Sequence, residues 1–225
     1  MMQPFRVVFW LGSPVCINHP WLHLDGITAH LRYEEALGRE FRYLPSKAVV
    51  PQPKHQAPLY IKTNGVRHAG VSIFCPDTER VVQTMFKRFE PEGYPQAGAQ
   101  RVNLGSGHFR NYMLRSVLVP CERVEFHACG DMRRVARLLS SLTHLGNDGR
   151  IGHGAILGID VVPEPEDLSL VAHGVAMRPI PVEALESWSE AVPLAWHAPY
   201  WDPKSVDLCA PPGAEVVLKH AASLA

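Results

Sequence analysis

The sequence predicts an α+β domain in which two helices cover one face of an antiparallel sheet. Three observations support this prediction: a β-branched and aromatic run opens the chain, helical apolar spacing recurs, and a Gly-rich loop joins a helix to a last apolar run. The chain has 225 residues, of which 46% are hydrophobic and 20% are charged. These values are typical of a folded protein and exclude disorder, coiled coil and collagen.

The chain opens with a predicted β-α unit. Residues 5–11 (FRVVFWL) have the composition of a strand, which Gly12-Ser13-Pro14 ends. Asp25 is placed to cap a helix, and Gly38 is placed to end it. The apolar residues at helical spacing in this segment are Leu24, Ile27 and Leu31.

An insertion follows this unit. Residues 44–58 contain four prolines and predict a surface connection. Two short strands are predicted at 59–63 and 71–75, and the apolar spacing of residues 78–89 predicts a helix. Residues 91–107 hold four glycines and few apolar residues, so we expect a mobile arm there.

Two strands and a helix come next. Residues 109–119 and 123–129 predict a β-hairpin with a short turn at 120–122. Asp131 is placed to cap the clearest helix of the sequence. The apolar arc of this helix comprises Met132, Val135, Leu138, Leu139, Leu142 and Leu145. The opposite, polar arc comprises Arg133, Arg134, Arg137, Ser141 and His144.

A Gly-rich loop at 146–154 leads into a predicted last strand at 155–162. The resulting order is the βαββαβ order of a ferredoxin-like or RNA-recognition-motif (RRM) domain, which leaves one face of the sheet for ligands or another domain. We therefore predict such a domain over residues 1–163, with an inserted arm within about 40–108. Residues 164–225 form a β-rich C-terminal extension packed on it.

The extension is predicted as a strand at 170–177, a short helix at 182–188, an aromatic loop at 196–201 and a closing strand at 215–218. The aromatic residues of the loop stack bases, form a partner surface or lie in the core, and the sequence leaves these three roles open. They are Trp196, Tyr200 and Trp201.

The formal net charge of zero hides an uneven distribution. Residues 1–150 contain 19 Lys and Arg against 12 Asp and Glu, a net charge of +7. Residues 151–225 contain 3 against 10, a net charge of −7. This asymmetry predicts a basic surface for an anionic partner and an acidic region that docks to protein.

The Gly-rich loop is a candidate phosphate-binding site, because its glycines let backbone amides approach an anion and Arg150 and His153 add donors. The alternative is a helix C-cap followed by a tight turn. The loop closes a helix rather than opening one, which disfavours ATPase and dehydrogenase functions. The glycines are Gly146, Gly149, Gly152 and Gly154.

Two further basic groups are candidate RNA contacts. The arginines of the polar helix arc contact phosphates or are simply solvated, and these are Arg133, Arg134 and Arg137. The arm and its exit are suited to single-stranded RNA, with an ordinary surface loop as the alternative. The residues of this second group are Arg101, His108, Arg110 and Tyr112.

Several histidines suggest metal or acid-base chemistry, although none forms a specific motif such as HExxH. The candidates are His19, His23 and Asp25, and His30 with Glu34. A packed or hydrogen-bonded role is the more common alternative for such histidines. The five cysteines are odd in number and form no CxxC pair, so we expect reduced thiols rather than a zinc site or a disulfide framework. We expect no metal and no cofactor. No early apolar run is long enough for a signal peptide or a membrane span, so we expect a cytoplasmic protein.

Five segments together resemble the RAMP superfamily of CRISPR-associated proteins, and within it the type IV Csf-three family, a Cas-five-like subunit. They are Ser13-Pro14-Val15, residues 20–27 (PWLHLDGI), residues 145–154 (LGNDGRIGHG), Arg178-Pro-Ile-Pro181 and Pro199-Tyr-Trp201. The Gly loop indicates the superfamily, and the N-terminal segments indicate the family.

The resemblance implies a subunit without catalytic activity that holds the 5′ handle of the crRNA and caps the filament of backbone subunits. It also implies contacts with the large subunit and with target DNA near its flanking motif. Some relatives cleave guide precursors without metal through a His near the first helix, which makes His23 and His30 the candidates for an alternative endoribonuclease function. Residues 123–130 lack the aromatic pattern of RNA-binding RRMs, so loops carry more of the RNA recognition.

Overall fold

The computed structural model describes residues 2–43, 59, 65–89, 103–107 and 109–219. This part of the chain is a mixed α/β structure, rich in strands and with two α-helices. The predicted connection at 44–58, most of the predicted strand at 59–63 and most of the predicted arm at 91–107 lie outside the described residues.

The strands up to the end of the predicted domain are β1 (Met2–Leu11), β2 (Val15–Ile17), β3 (Ile73–Cys75), β4 (Val81–Lys87), β5 (Tyr112–Val119), β6 (Arg123–Asp131) and β7 (Ile156–Pro163). Those of the extension are β8 (Val171–Ala172), β9 (Val175–Ala176), β10 (Ile180–Pro181), β11 (Leu185–Trp188), β12 (Val192–Ala195), β13 (Val206–Ala210) and β14 (Val216–Leu218). The helices are α1 (Leu24–Leu37) and α2 (Met132–Leu139).

The central sheet has the strand order β3-β6-β1-β7, and all neighbouring strands are antiparallel. Alternation along β1 points Phe5, Val7 and Phe9 to one side, where all three are fully buried. Both helices contribute to the core cluster on this side, α1 through Leu31 and α2 through Leu139. The predicted strands at 5–11 and 155–162 are therefore present as β1 and β7.

Both helices differ in detail from the sequence prediction. Helix α1 follows His23, and Asp25 does not cap it, because its side chain is 1% exposed inside the first turn and faces the guanidinium of Arg178. Helix α2 has the predicted cap, since Oδ1 of Asp131 accepts the amide of the third helical residue at 3.1 Å. It ends at Leu139, short of the predicted arc, because residues 143–145 turn back along residues 154–156.

A second sheet, of order β2-β5-β4, corrects two predictions. Residues 78–89 form strand β4 rather than a helix, because pairing with β5 from Val81–Leu118 to Lys87–Tyr112 outweighs the local apolar spacing. The predicted hairpin of 109–119 with 123–129 is wrong, since β5 pairs with β2 and β4 while β6 pairs with β1 and β3.

The extension is built from short strands around a second core cluster. The predicted strand at 170–177 is a hairpin of β8 and β9 instead, because the chain reverses through left-handed φ values at His173 and Gly174. The predicted helix at 182–188 is one 3₁₀ turn followed by β11, which pairs with the expected closing strand, β14. Strands β12 and β13 were not predicted.

A buried ion pair links the extension to α1. Arg178 is fully buried, and its Nη2 lies 3.4 Å from Oδ2 of Asp25. Its Nη1 donates to the carbonyl oxygens of Arg67 and Ala69 at 2.7 and 2.9 Å, and the Tyr200 hydroxyl donates to Oδ1 of Asp25 at 2.6 Å. The aromatic loop at 196–201 is thus partly a structural element, with the hydroxyl of half-buried Tyr200 bonded to the buried ion pair.

The environment of this pair fixes its charges. Burial alone would raise the pKa of Asp25, but the charge of Arg178 and the hydrogen bond from Tyr200 hold it below its ordinary value. Burial raises the pKa of Tyr200 well above its ordinary value, and the negative charge of Asp25 adds to this effect. The carboxylate therefore stays ionised and the hydroxyl stays a donor at neutral pH.

Candidate nucleic-acid interface

Strands β4 and β5 extend beyond β2 as a two-stranded ribbon, here called the β4–β5 ribbon and comprising residues 81–89 and 109–119. Both of its faces are exposed: Phe86 and Met113 on one face are 64% and 57% exposed, and Tyr112 on the other is 50% exposed. A two-stranded ribbon has little stability of its own in water. Apolar side chains exposed on both faces of such an element indicate a binding surface.

The charge of the ribbon has one sign. Its residues include no Asp or Glu, and its four cations are Lys87, Arg88, Arg110 and Arg115. The ammonium of Lys87 lies 5.6 Å from the centre of the Tyr112 ring. Cations beside exposed aromatic rings are the groups that contact phosphates and stack with bases in single-stranded nucleic acid.

The Gly loop lies against the base of the ribbon. Oδ2 of Asp148 accepts the Ser116 hydroxyl at 3.0 Å and lies 3.4 Å from the Cys16 thiol. Register places Ser116 and Tyr112 on the same face of β5, about 13 Å apart at the usual strand rise. The structure therefore brings two of the predicted groups, the Gly loop and the Arg110–Tyr112 segment, onto one side of the molecule.

Folding of the loop accounts for its glycines. Gly146 and Gly154 have left-handed φ values of 84° and 65°, and a Cβ atom would lie 2.4 Å from the Cys16 carbonyl oxygen and 1.9 Å from that of Leu145. Gly149 packs on His144, and Gly152 has a φ of 94°. The alternative of a structural loop thus explains these four positions, and phosphate contact by the loop stays a prediction that depends on its polar side chains, Arg150 and His153.

The arginines of α2 are separate from this surface. Arg133 and Arg137 are exposed on the side of α2 opposite Val135 and Leu139, which pack into the core. No hydrogen bond or ion pair among the described residues joins Arg133, Arg134 or Arg137 to the ribbon or the Gly loop. Arg101 and His108 lie outside the described residues.

The face of the central sheet opposite the helices carries a network of paired charges. Arg6 contacts Glu125 at 3.0 Å and Glu164 at 3.9 Å, and Arg123 contacts Glu125 at 2.6 Å. Burial alone would raise the pKa of Glu125, but the hydrogen bond from Arg123 and the charge of Arg6 hold it below its ordinary value. His127 lies 2.8 Å from Glu164 at the end of this row.

The network continues to the other edge of this face. The indole of Trp10 donates to Asp160 at 2.7 Å, and the guanidinium of Arg123 lies 5.7 Å from the Trp10 ring centre. Arg6 and Arg123 therefore lie beside carboxylates, and the face as a whole has no excess of positive charge. Phosphate binding is less favourable here than on the ribbon.

Of the histidine candidates, His23 occupies a packed position, whereas His19 and His30 are exposed. His23 stacks on the Tyr200 ring at 3.8 Å, its Nε2 accepts the Trp21 indole at 3.1 Å, and burial with the nearby Arg178 charge lowers its pKa to about 4. The His30 ring meets the edge of Phe41 at 4.9 Å. The alternative of a metal set formed by His19, His23 and Asp25 has no support in the structure: no group of three His, Cys, Asp or Glu residues that could hold a metal occurs in the described part of the chain.

Comparison with known families decides the assignment. The family model described as CRISPR type IV associated protein Csf3 matches residues 48–211. The chain belongs to the Csf3 family. The resemblance to type IV Csf-three proteins that the sequence predicts is thereby confirmed.

Structural comparison of this Csf3-family chain found similarity to a chain of the "Cryo-EM structure of the Type III-B Cmr-beta bound to cognate target RNA". The two share 10% sequence identity with a TM-score of 0.41, over 72% of this chain and 61% of that chain. The chain therefore corresponds to about 61% of the length of that relative. Comparison with curated proteins found no significant match. Within the described residues, neither helix has the length and apolar composition to cross a membrane.

Sequence reasoning missed most of the ribbon. It identified Arg110 and Tyr112 but not Lys87, Arg88 or Arg115, because it assigned residues 78–89 to a helix. A signal was present, since two acid-free basic segments flank residues 91–107. Segments on either side of a long insertion are candidates to pair with each other, and such pairing gives this Csf3-family chain its ribbon.

Proposed function

We propose that this Csf3-family chain is a guide-RNA-binding subunit of a type IV CRISPR ribonucleoprotein, and that the β4–β5 ribbon is its main RNA surface. Family membership supports the CRISPR role. The observation that carries the RNA surface is the ribbon itself, with four cations, no carboxylate and exposed aromatic rings on both faces.

Electrostatics favours the ribbon over the other two surfaces. A phosphate near the sheet face meets Glu125, Glu164 and Asp160 beside the arginines, whereas the residues of the ribbon itself include four cations and no carboxylate. The acidic extension repels phosphates. RNA affinity of this kind depends on counterion release, so a surface element whose own residues are basic and include no carboxylate contributes most to it.

We also propose the finer role that the family implies. In it, the chain holds the 5′ handle of the crRNA, caps the backbone filament and contacts the large subunit and target DNA near the flanking motif. The sheet order β3-β6-β1-β7, with both helices on one face, supports a ferredoxin-like βαββαβ domain. Target specificity then comes from guide base pairing rather than from this chain.

We propose that the subunit acts without catalysis. His23 is largely covered by Tyr200, and its low pKa leaves it neutral at pH 7, which makes it a poor general acid. Incubation of a guide precursor with the pure protein in EDTA tests this point, with a His23→Ala and His30→Ala variant as reference. We expect intact precursor, and a cut that requires either histidine would support the endoribonuclease alternative instead.

The experiment that tests the RNA surface is a salt titration of guide-RNA affinity by fluorescence anisotropy. Lys87→Ala with Arg88→Ala should lower the slope of log K against log salt by about 1.4, since each single-strand phosphate contact contributes about 0.7. This change corresponds to about tenfold weaker binding at 0.15 M salt and nearly equal binding at 1 M.

The matched control is Lys204→Ala with Lys219→Ala, which removes the same charge from the acidic extension. We expect its slope and affinity to equal those of the wild-type protein. Equal losses in both double variants would show that net charge, rather than the ribbon, sets RNA affinity, and an unchanged ribbon variant would refute the proposed surface.

A further inference from the structure

Exposed apolar side chains are concentrated in two places. Of the seventeen large apolar residues that are exposed in the described part of the chain, six lie on the β4–β5 ribbon and six on the extension. Those of the extension are Trp188, Val192, Trp201, Val206, Leu208 and Val217. Scattered exposed apolar residues are normal, but such a concentration indicates an interaction surface.

Two of these residues share one face of the β10-β13-β12 sheet. Val206 and Leu208 are two residues apart on β13 and are 43% and 49% exposed. Register places Ala195 opposite Val206 and Pro193 opposite Leu208. Directly opposed side chains lie about 5 Å apart, so these four form a continuous apolar surface, here called the β12–β13 face. Asp207, between them in sequence, and Cys209, which follows them, belong to the opposite side of β13, where Cys209 is fully buried.

The charge of the extension that carries this face indicates the kind of partner. Residues 164–219 contain nine Asp and Glu against three Lys and Arg. One of the three, Arg178, is fully buried against Asp25, which leaves Lys204 and Lys219 at the surface. An excess of carboxylates repels nucleic acid and attracts a protein surface that carries Lys and Arg around an apolar centre.

The geometry also indicates how the partner docks. Strand β12 is at the end of its sheet, and Pro193 lies inside it without an amide N–H. Proline at this position opposes the addition of a further strand. Contact through the exposed side chains of the face is therefore favoured over backbone pairing along the edge.

We propose that the β12–β13 face is the docking site for another protein subunit of the same ribonucleoprotein, one with a basic surface around an apolar centre. This inference rests on the proposed function, because it assumes that the chain is part of that assembly. It assigns RNA binding and protein docking to opposite kinds of surface, the basic ribbon and the acidic extension.

The test is reconstitution of the complex from guide RNA and the other type IV subunits, read by native mass spectrometry and by titration of the chain into the remainder. Val206→Ser with Leu208→Ser should weaken incorporation at least about tenfold, since truncated anchors at such interfaces commonly have effects of this size or more. Glu186→Lys with Glu190→Lys should weaken it and reduce its dependence on salt.

Leu157→Ser is the matched control, because Leu157 is 75% exposed on β7, away from this face. All variants should bind guide RNA as the wild-type chain does, which shows that they are folded. If the Val206→Ser and Leu208→Ser variant joins the complex as well as the wild-type chain does, the docking site is overturned while the proposed function stays intact. A wild-type chain that binds no RNA and joins no complex would overturn both. If the wild-type chain self-associates and the same substitutions abolish that association, the face binds a second copy of the chain and the proposal is overturned.

Discussion

The hydroxyl of Tyr200 is the smallest group whose removal tests how the extension is attached. In Tyr200→Phe the ring still stacks on His23, but Oδ1 of Asp25 loses the donor at 2.6 Å and Nη2 of Arg178 loses a neighbour at 3.2 Å. A hydrogen bond to a charged group contributes about 1.5–3 kcal/mol, and the carboxylate of Asp25 is only 1% exposed to solvent that could replace it. We expect the free energy of unfolding to fall by about 2 kcal/mol.

The assay is thermal and urea unfolding at pH 7, followed by circular dichroism. A loss of about 2 kcal/mol corresponds to a decrease in Tm of about 4–8 °C for a chain of this size. Tyr112→Phe is the matched control, because Tyr112 is exposed on the ribbon and its hydroxyl should contribute less than about 0.5 kcal/mol. A Tyr200→Phe variant as stable as this control would refute the structural role assigned to the buried ion pair.

Three further predictions concern stability. Gly154→Ala should cost more than about 3 kcal/mol in urea unfolding, because its Cβ would lie 1.9 Å from the Leu145 carbonyl oxygen, whereas Gly152→Ala, with open space, should cost about 1 kcal/mol; equal costs would contradict the loop geometry. His23 has a folded pKa of about 4 against 6.5 unfolded, so stability is full above pH 6.5 and about 3 kcal/mol is lost as the pH falls to 4. His23→Gln should lose less over this range, and identical pH profiles would show that the buried neutral imidazole plays no part. Burial alone would raise the pKa of Asp167, but His68 and Ser169 lower it from 3.8 to about 2. Because Asp167 is exposed and solvent screens its interactions, Asp167→Asn should be only about 1 kcal/mol less stable at pH 7, with the difference vanishing as the pH falls to 2; a difference that persists at pH 2 would locate the effect elsewhere.

Elements with a strong local pattern could be predicted from the sequence. The run at 5–11 has only strand-forming residues before Gly12, and the structure contains β1 there. Asp131 precedes a strongly amphipathic segment, and α2 begins after it. In each case the local composition and the tertiary environment favour the same conformation.

Elements that depend on distant partners could not be predicted in this way. Residues 81–87 have apolar positions that suit a helix, and only pairing with β5, beyond the insertion, makes them a strand. Asp25 fits a helix cap by type and position, yet Arg178, 153 residues later, takes its carboxylate. For the same reason, half of the candidate site could not be predicted from the sequence. Lys87 and Arg88 join Arg110 and Tyr112 only through the long-range pairing of β4 with β5.

The measurement that tests the central claim most directly is photo-crosslinking of the assembled protein to guide RNA, with crosslinked peptides identified by mass spectrometry. RNA held by the ribbon should crosslink to residues 81–89 and 109–119, with Phe86 and Tyr112 prominent because aromatic rings stack on bases. These crosslinks should disappear when excess unlabelled guide RNA competes. Crosslinks confined to the central sheet face around Trp10, or to the acidic extension, would contradict the account.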